Sequence, residues 1–279
     1  MADDVGLFYN VVRSRRRLTG RLVVLTPLHI GAGDHPADPL ATDNPVIRDV
    51  WGRPFIPGSS FKGVWRAFAE QVLGVWGSRD AEQACRRPCD VVDHPCLSKD
   101  EAETLKQKHK DDSFALAEAV YARLCPACRL FGSPHFAGRV RVRDLLLESQ
   151  NSWPGFFEVR PGVAIDRDSR TAFEGRKFEV ETVPTQSVFS FEAIVENASD
   201  EEWRSVVLTL LPFTRGEMTL GGGTGRGLGR VILQDLDVRV VDRDNIREFL
   251  IKGWDALPAL SFPEACRQAG LTSGGADNV

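Results

Sequence analysis

The 279-residue chain carries 35 Lys and Arg against 39 Asp and Glu, a net charge of −4, with 42% hydrophobic residues. That balance describes a globular chain with a real core, and it argues against nonspecific coating of nucleic acid, which needs a cationic excess. No apolar run approaches the roughly 18 residues of a membrane span, and the N-terminus lacks the apolar core of a signal peptide. The expected location is therefore cytoplasmic, with no membrane partner.

In chain order, Arg21 to Ile30 alternates toward a strand and breaks at Gly31-Ala32-Gly33. Pro45 biases Asn44 away from helix, so Asn44 to Ile47 resumes extended backbone. Phe61, Val64, Trp65, Phe68 and Val72 then keep helical spacing on one apolar face, with Ser59 or Ser60 as the expected N-cap. Lys62 and Arg66 sit four apart on the opposite face, near a helix start whose free N–H groups and dipole favour an anion. From Gly77 to about Lys110 the pattern dissolves into a charged, cysteine-bearing insertion, and helix returns over Phe114 to Leu124.

Arg139 to Leu147 and Phe156 to Ile165 read as strands, and Asp166 to Pro184 as a charged, protruding hairpin. Ser187 to Val195 alternates like a half-buried strand. Ser199-Asp200-Glu201-Glu202 is a capping box that opens a helix through Phe213. A strand from Arg230 to Val241, a short helix from Asp244 and a frayed Gly/Ser-rich tail after Leu271 complete the chain. Without the insertions the order is β-α-β-β-α-β, the arrangement of a ferredoxin-like or RNA-recognition fold, hence an α+β chain.

Between Thr219 and Val231 six glycines alternate with Arg226 and Arg230. Glycine permits positive φ and close approach of backbone N–H groups to an anion, and the arginines can chelate phosphate. A helix precedes this loop and a strand follows it, the reverse of dinucleotide and P-loop sites. The expected ligand of Gly222, Gly223, Thr224, Arg226 and Arg230 is thus the backbone of a nucleic acid.

Five of the six cysteines lie between Cys85 and Cys128, and clustering in a reducing compartment points to a metal. Cys125-x-x-Cys128 is one half of a zinc knuckle. Cys89 and Cys96, each following a proline, are chosen as the other half, with Cys85 able to replace either and His94 nearby.

Four stretches in order carry a resemblance: Leu28-His29-Ile30-Gly31-Ala32-Gly33, Asp43-Asn44-Pro45-Val46-Ile47-Arg48-Asp49, Ile56-Pro57-Gly58-Ser59-Ser60-Phe61-Lys62-Gly63, and Cys125-Pro126-Ala127-Cys128-Arg129-Leu130-Phe131-Gly132. With the glycine loop they resemble the RAMP superfamily, specifically the backbone subunit of type III CRISPR effector complexes, over about Leu22 to Asp237. The resemblance implies one RAMP domain over 1–279, a ferredoxin-like palm with a zinc-binding insertion at 77–134 and a β-hairpin thumb at 156–186. It implies stacked homologous subunits along a CRISPR guide RNA, with a thumb interrupting the guide–target duplex at intervals.

The same resemblance places metal-dependent cleavage of target RNA, with Mg²⁺ or another divalent ion, on Asp43, ahead of Asp34 and Asp49. It places guide contacts on Ser59, Ser60, Lys62 and Arg66, and the entrance to the thumb at Arg167, beside Arg170, Arg176, Lys177, Phe173 and Phe178. Two alternatives stay open. One is a catalytically inactive RNA-binding scaffold of the same complex. The other is a stand-alone processing ribonuclease that uses His29 or His35.

Overall fold

The computed structural model describes residues 11–33, 43–76, 89 and 93–271, with the side chains of 75, 76, 150 and 173–176 outside the description. Asp34, His35 and Cys85 fall outside it, as do the side chains of Phe173 and Arg176.

The main sheet is antiparallel. Its strands β1 (Ser14–Val24), β2 (Val140–Val142), β5 (Val188–Glu196), β6 (Met218–Thr219) and β7 (Arg230–Asp242) lie in the order β2-β5-β1-β7-β6, and β8 (Leu260–Ser261) also pairs with β7. Between β2 and β5 the chain makes a separate two-stranded sheet, β3 (Glu158–Ile165) against β4 (Ala172–Thr182).

Strand β1 starts seven residues before the position that sequence alternation indicates. Arg15, Arg16 and Arg17 already pair with both β5 and β7, because a central strand gains a ladder on each side. Leu18, Leu22 and Val24 point into the core, as do Phe189, Phe191, Ala193 and Val195 of β5. Two long helices cover that face: α1 (Gly58–Trp76) and α5 (Asp200–Thr214). Phe61 of α1 lies 5.0 Å from the Phe191 ring and 4.9 Å from Phe213 of α5. Trp65 is fully buried, and its indole N–H donates to Thr209 Oγ1 at 2.9 Å, so the one polar atom it takes inside is satisfied. Helix α5 begins at the capping box, with Glu202 N–H donating to Ser199 Oγ and Ser199 N–H to the Glu202 carboxylate.

Helix α1 starts earlier than the serines indicate. Its first N–H, that of Gly58, donates to the Asp144 carboxylate at 2.8 Å, so the cap comes from after β2 and not from Ser59 or Ser60. A side chain at 58 would meet Val142 O at 2.4 Å, and only glycine lets β2 cross so close.

The basic clusters are also less free than their sequence indicates. Arg139 is fully buried and pairs with buried Glu202 at 3.0 Å. On the outer sheet face Arg15 and Arg141 bracket Glu196, while Arg17 and Arg143 bracket Glu192, at 2.8 to 3.1 Å.

Residues 93–131 of the insertion are more ordered than their polarity predicts. Helices α2 (Lys99–Lys108), α3 (Ser113–Arg123) and α4 (Pro126–Phe131) surround a small second core of Leu97, Ala102, Leu105, Val120 and Leu124 with Cys89 and Cys128. Helix α2 is announced by a Ser98–Glu101 capping box inside the charged run. After β7 come α6 (Ile246–Lys252) and α7 (Phe262–Gln268).

Candidate nucleic-acid interface and metal centre

Asp43 is exposed, and its Oδ2 accepts the backbone N–H of Glu179 at 2.9 Å. Asn44 continues the attachment: its amide N–H and its side chain both donate to Glu179 O, and its own carbonyl accepts from Glu181 N–H. The Asp43 segment is thus stitched to β4 at the root of the hairpin. Asp49, the alternative carboxylate, instead closes its own turn, accepting from Trp51 N–H, Arg53 N–H and Arg53 Nε at 2.9 to 3.0 Å.

The glycine loop is anchored on residues 27–29, whose Leu28 bridges to Val183 just past the end of β4. Gly222 N–H donates to His29 O at 2.8 Å, and Gly229 N–H to Pro27 O at 2.9 Å. Gly221 and Gly229 have φ of +77° and +83°, and a Cβ there would stand 2.1 Å from His29 O and 2.0 Å from Leu220 O. Residues 221–227 are nevertheless exposed, so the loop is anchored at its ends and open along its crest. Arg226 on that crest lies 5.9 Å from the Phe178 ring of β4, and Phe178 in turn covers Gly162 of β3.

Arg230 is exposed, but its Nε donates to Gly216 O at 2.7 Å and its backbone N–H to Thr26 Oγ1, a structural commitment that spacing cannot show. His29 Nδ1 lies 2.7 Å from Glu181 O, which makes that nitrogen the donor of the neutral ring. Asp43, His29, Phe178 and Arg226 therefore converge on residues 178–181 of β4. Arg167 stands apart, exposed at the far end of the hairpin.

Ser59, Ser60 and Lys62 share the first turns of α1, where Ser59 is exposed and Lys62 half-buried. Burial first, then the neighbouring Arg66 and Arg141 cations, push the Lys62 ammonium below the usual lysine value. Like charges held together in this way favour an anion between them. Arg66 is not on an open face: its guanidinium donates to Glu70, to Gly132 O and toward Cys128 Sγ.

Sequence reading missed an aromatic cleft beside the hairpin root. A cavity of about 550 Å³ is lined by Trp51, Arg53, Leu147, Trp153 and Gly155, with Trp51 itself 75% exposed. The signal was present as a tryptophan in the Asp49–Arg53 turn, where a polar residue is the usual choice.

The sulfurs of Cys89, Cys96, Cys125 and Cys128 all lie within 4.8 Å of one another. Cys89 stands 3.4 Å from Cys128 and 3.3 Å from Cys96. Backbone N–H groups of Cys125 and Cys128 point at the sulfurs of Cys96 and Cys125, each at 3.4 Å. A tetrahedral ion with metal–sulfur bonds of about 2.3 Å sets sulfurs about 3.8 Å apart, which this cluster brackets. Hydrogen bonds from the Cys125 and Cys128 thiols hold Cys96 far below the ordinary thiol range, while bonding to Cys125 and Cys96, together with burial, raises Cys128. Several thiolates can coexist here only around a cation. Among the described residues this is the one group of three or more His, Cys, Asp or Glu placed to hold an ion, and Asp43 is not part of it.

No helix among the described residues is long and apolar enough to cross a membrane. The RAMP superfamily profile matches residues 21–232, from within β1 to the start of β7. Three relatives bear the name CRISPR system Cms endoribonuclease Csm3. The protein of Methanocaldococcus jannaschii is 28% identical over 229 residues, 78% of each chain. That of Methanothermobacter thermautotrophicus is 27% identical over 248 residues, 80% of this chain and 84% of its own. That of Streptococcus thermophilus is 27% identical over 239 residues, 81% and 90%. The helices α1 and α5, strands β2 and β5, the hairpin root and the glycine loop all fall inside the matched span, and the chain belongs to the RAMP superfamily.

Proposed function

We propose that this chain is a guide-RNA-binding backbone subunit of a type III CRISPR effector and that it cleaves guide-paired target RNA as an endoribonuclease. The observation that carries the reading is the convergence on residues 178–181 of β4. There an exposed carboxylate, a crest of exposed amides with Arg226, and the root of a hairpin meet. The names of the Csm3 relatives supply the reaction class.

The sheet order β2-β5-β1-β7, reached through β1-α1-β2 and β5-α5-β7, supports a ferredoxin-like palm. The β3–β4 hairpin supports a thumb within 156–186, with the zinc-binding insertion at 77–134 and one RAMP domain overall. Ser59, Ser60 and Lys62 contact the guide backbone, Gly222, Gly223, Thr224 and Arg226 grip phosphates, and Arg167 meets RNA from the hairpin. Arg230 chiefly anchors the loop.

Asp43 is the catalytic residue of this reading. The 2′-hydroxyl of the nucleotide beside the scissile bond attacks phosphorus, the 5′-oxygen leaves, and the products are a cyclic phosphate and a 5′-hydroxyl. Asp43 orients that hydroxyl and accepts hydrogen bonding from it, held in place by Glu179 N–H. Asp43 would be the carboxylate to hold a divalent ion such as Mg²⁺ beside the RNA, and such an ion would supply neutralisation of the charge developing on the phosphate. Zinc, held by Cys89, Cys96, Cys125 and Cys128, is structural.

Asp43→Ala in the assembled complex is expected to retain guide binding and lose target cleavage by at least about 100-fold. Undiminished cutting would reject Asp43 as the catalytic residue, whereas a wild-type complex that binds target RNA and does not cut it would leave the scaffold reading, an RNA-binding subunit without nuclease activity.

A further inference from the structure

Arg66 has every side-chain nitrogen committed inside the protein. Nε donates to Glu70 Oε1 at 2.8 Å, Nη1 to Gly132 O at 2.8 Å, and Nη2 points to Cys128 Sγ at 3.5 Å. Its side chain is 20% exposed, and Glu70, which orients it, 19%. Cys128 lies within α4 and Gly132 caps its C-terminal end, the Gly132 N–H bonding to Cys128 O. One guanidinium therefore fastens the last turn of α4, which starts at the second cysteine of the CxxC pair, to helix α1.

Charge gives this fastening a second consequence. Four thiolates around a divalent ion carry a net charge of −2, and in a partly buried site that excess costs free energy unless a cation lies close. Arg66 is the cation whose hydrogen bond reaches a sulfur among the contacts described for the cluster. A charge-assisted donor to sulfur lowers the donor strength of that thiolate and fixes its direction.

We infer that Arg66 is a positioning and charge-balancing residue of the cysteine metal centre, locking α4 onto α1, and is not a nucleic-acid ligand. The inference rests on reading the cysteine cluster as a metal site. Lys62, one turn earlier on the same helix and close enough to Arg141 to feel its charge, is left as the RNA-facing cation of α1.

The test uses the full-length protein and the variants Arg66→Gln, Arg66→Lys, Glu70→Gln and Lys62→Gln. Metal content is measured by atomic emission, zinc loss to a chromogenic chelator, and the charge-transfer spectrum of the cobalt(II)-substituted protein. Arg66→Gln is expected to lose zinc about 10- to 100-fold more readily and to shift the sulfur-to-cobalt band to lower energy, with partial recovery in Arg66→Lys. Lys62→Gln is expected to keep both readouts at wild-type values while weakening guide-RNA binding.

Zinc retention and spectrum unchanged in Arg66→Gln, with RNA affinity lowered as in Lys62→Gln, would overturn the inference and return Arg66 to the RNA face. If Arg66→Gln does not accumulate folded, Glu70→Gln decides: faster zinc loss supports the assignment, and wild-type retention rejects it. Wild-type protein that holds no ion removes the metal reading itself, an outcome distinct from a loaded site indifferent to Arg66.

Discussion

Arg48 pairs with the carboxylate of Glu181, which is only 6% exposed and also accepts Val46 N–H at 2.9 Å. The Arg48 guanidinium carbon lies over the Phe157 ring, 4.1 Å from its centre. Glu181 thereby binds the segment after Asp43 to the strand that anchors Asp43 itself. Glu181→Gln is expected to lower stability by about 1–3 kcal/mol and to slow target cleavage while sparing guide binding. Urea unfolding and a cleavage time course check both parts, and an unaltered midpoint would show that the pair does not hold the segment.

Arg226 and Arg230 differ in what they can give to RNA. Arg226 is exposed beside Phe178, whereas the Nε of Arg230 is bonded to Gly216 O. Removing one phosphate contact lowers the salt slope of binding by about 0.7 to 0.9. Arg226→Ala is expected to produce a change of that size, and Arg230→Ala a smaller one accompanied by lost stability. Binding isotherms across a salt series measure the slopes, and equal slopes for wild type and Arg226→Ala would remove the crest of the loop from the interface.

Gly229 has φ +83°, and a Cβ there would stand 2.0 Å from Leu220 O. Gly229→Ala is expected to cost more than about 1 kcal/mol, because the new side chain meets backbone and the left-handed region is strained for alanine. Gly225→Ala, where nothing lies within 4 Å, is the matched control and should fold like wild type. Thermal unfolding of the pair separates a required conformation from mere looseness.

At the hairpin tip Asp166 Oδ1 accepts Ser169 N–H at 2.7 Å, Ser169 Oγ–H at 2.9 Å and Asp168 N–H at 3.0 Å. These bonds favour the charged form and hold the carboxyl below the ordinary value of 3.8. A depressed folded-state value means the turn keeps its support from neutral pH down through the usual aspartate range. It loses that support only as pH falls through the lowered value. Amide exchange at Asp168 and Ser169 should accelerate only below about pH 4 relative to the rest of β3 and β4. Acceleration already at pH 6 would contradict the assignment.

Some of this was readable from residues alone because the relevant physics is local. The Ser199–Glu202 box, the apolar stripe of α1 and the extended backbone that Pro45 imposes on Asn44 act over a few residues. Cys125 and Cys128, chosen from their spacing, and Cys89 and Cys96, chosen from their prolines, are the cysteines whose sulfurs converge among the described residues. The rest depends on partners far along the chain. Nothing near Arg139 announces Glu202, and nothing near Arg66 announces Gly132 O or Cys128. Helix α2 was legible in principle through Ser98 and Glu101, but its charged surroundings masked a local signal.

The bond that holds Asp43 reaches across 136 residues to Glu179. During synthesis at about 5–20 residues per second, the carboxylate leaves the ribosome on the order of ten seconds before its anchor exists. A nascent or truncated chain that stops short of β4 therefore cannot fix Asp43, however well its first helix has folded, and a chain cut loose early is disarmed by its own connectivity.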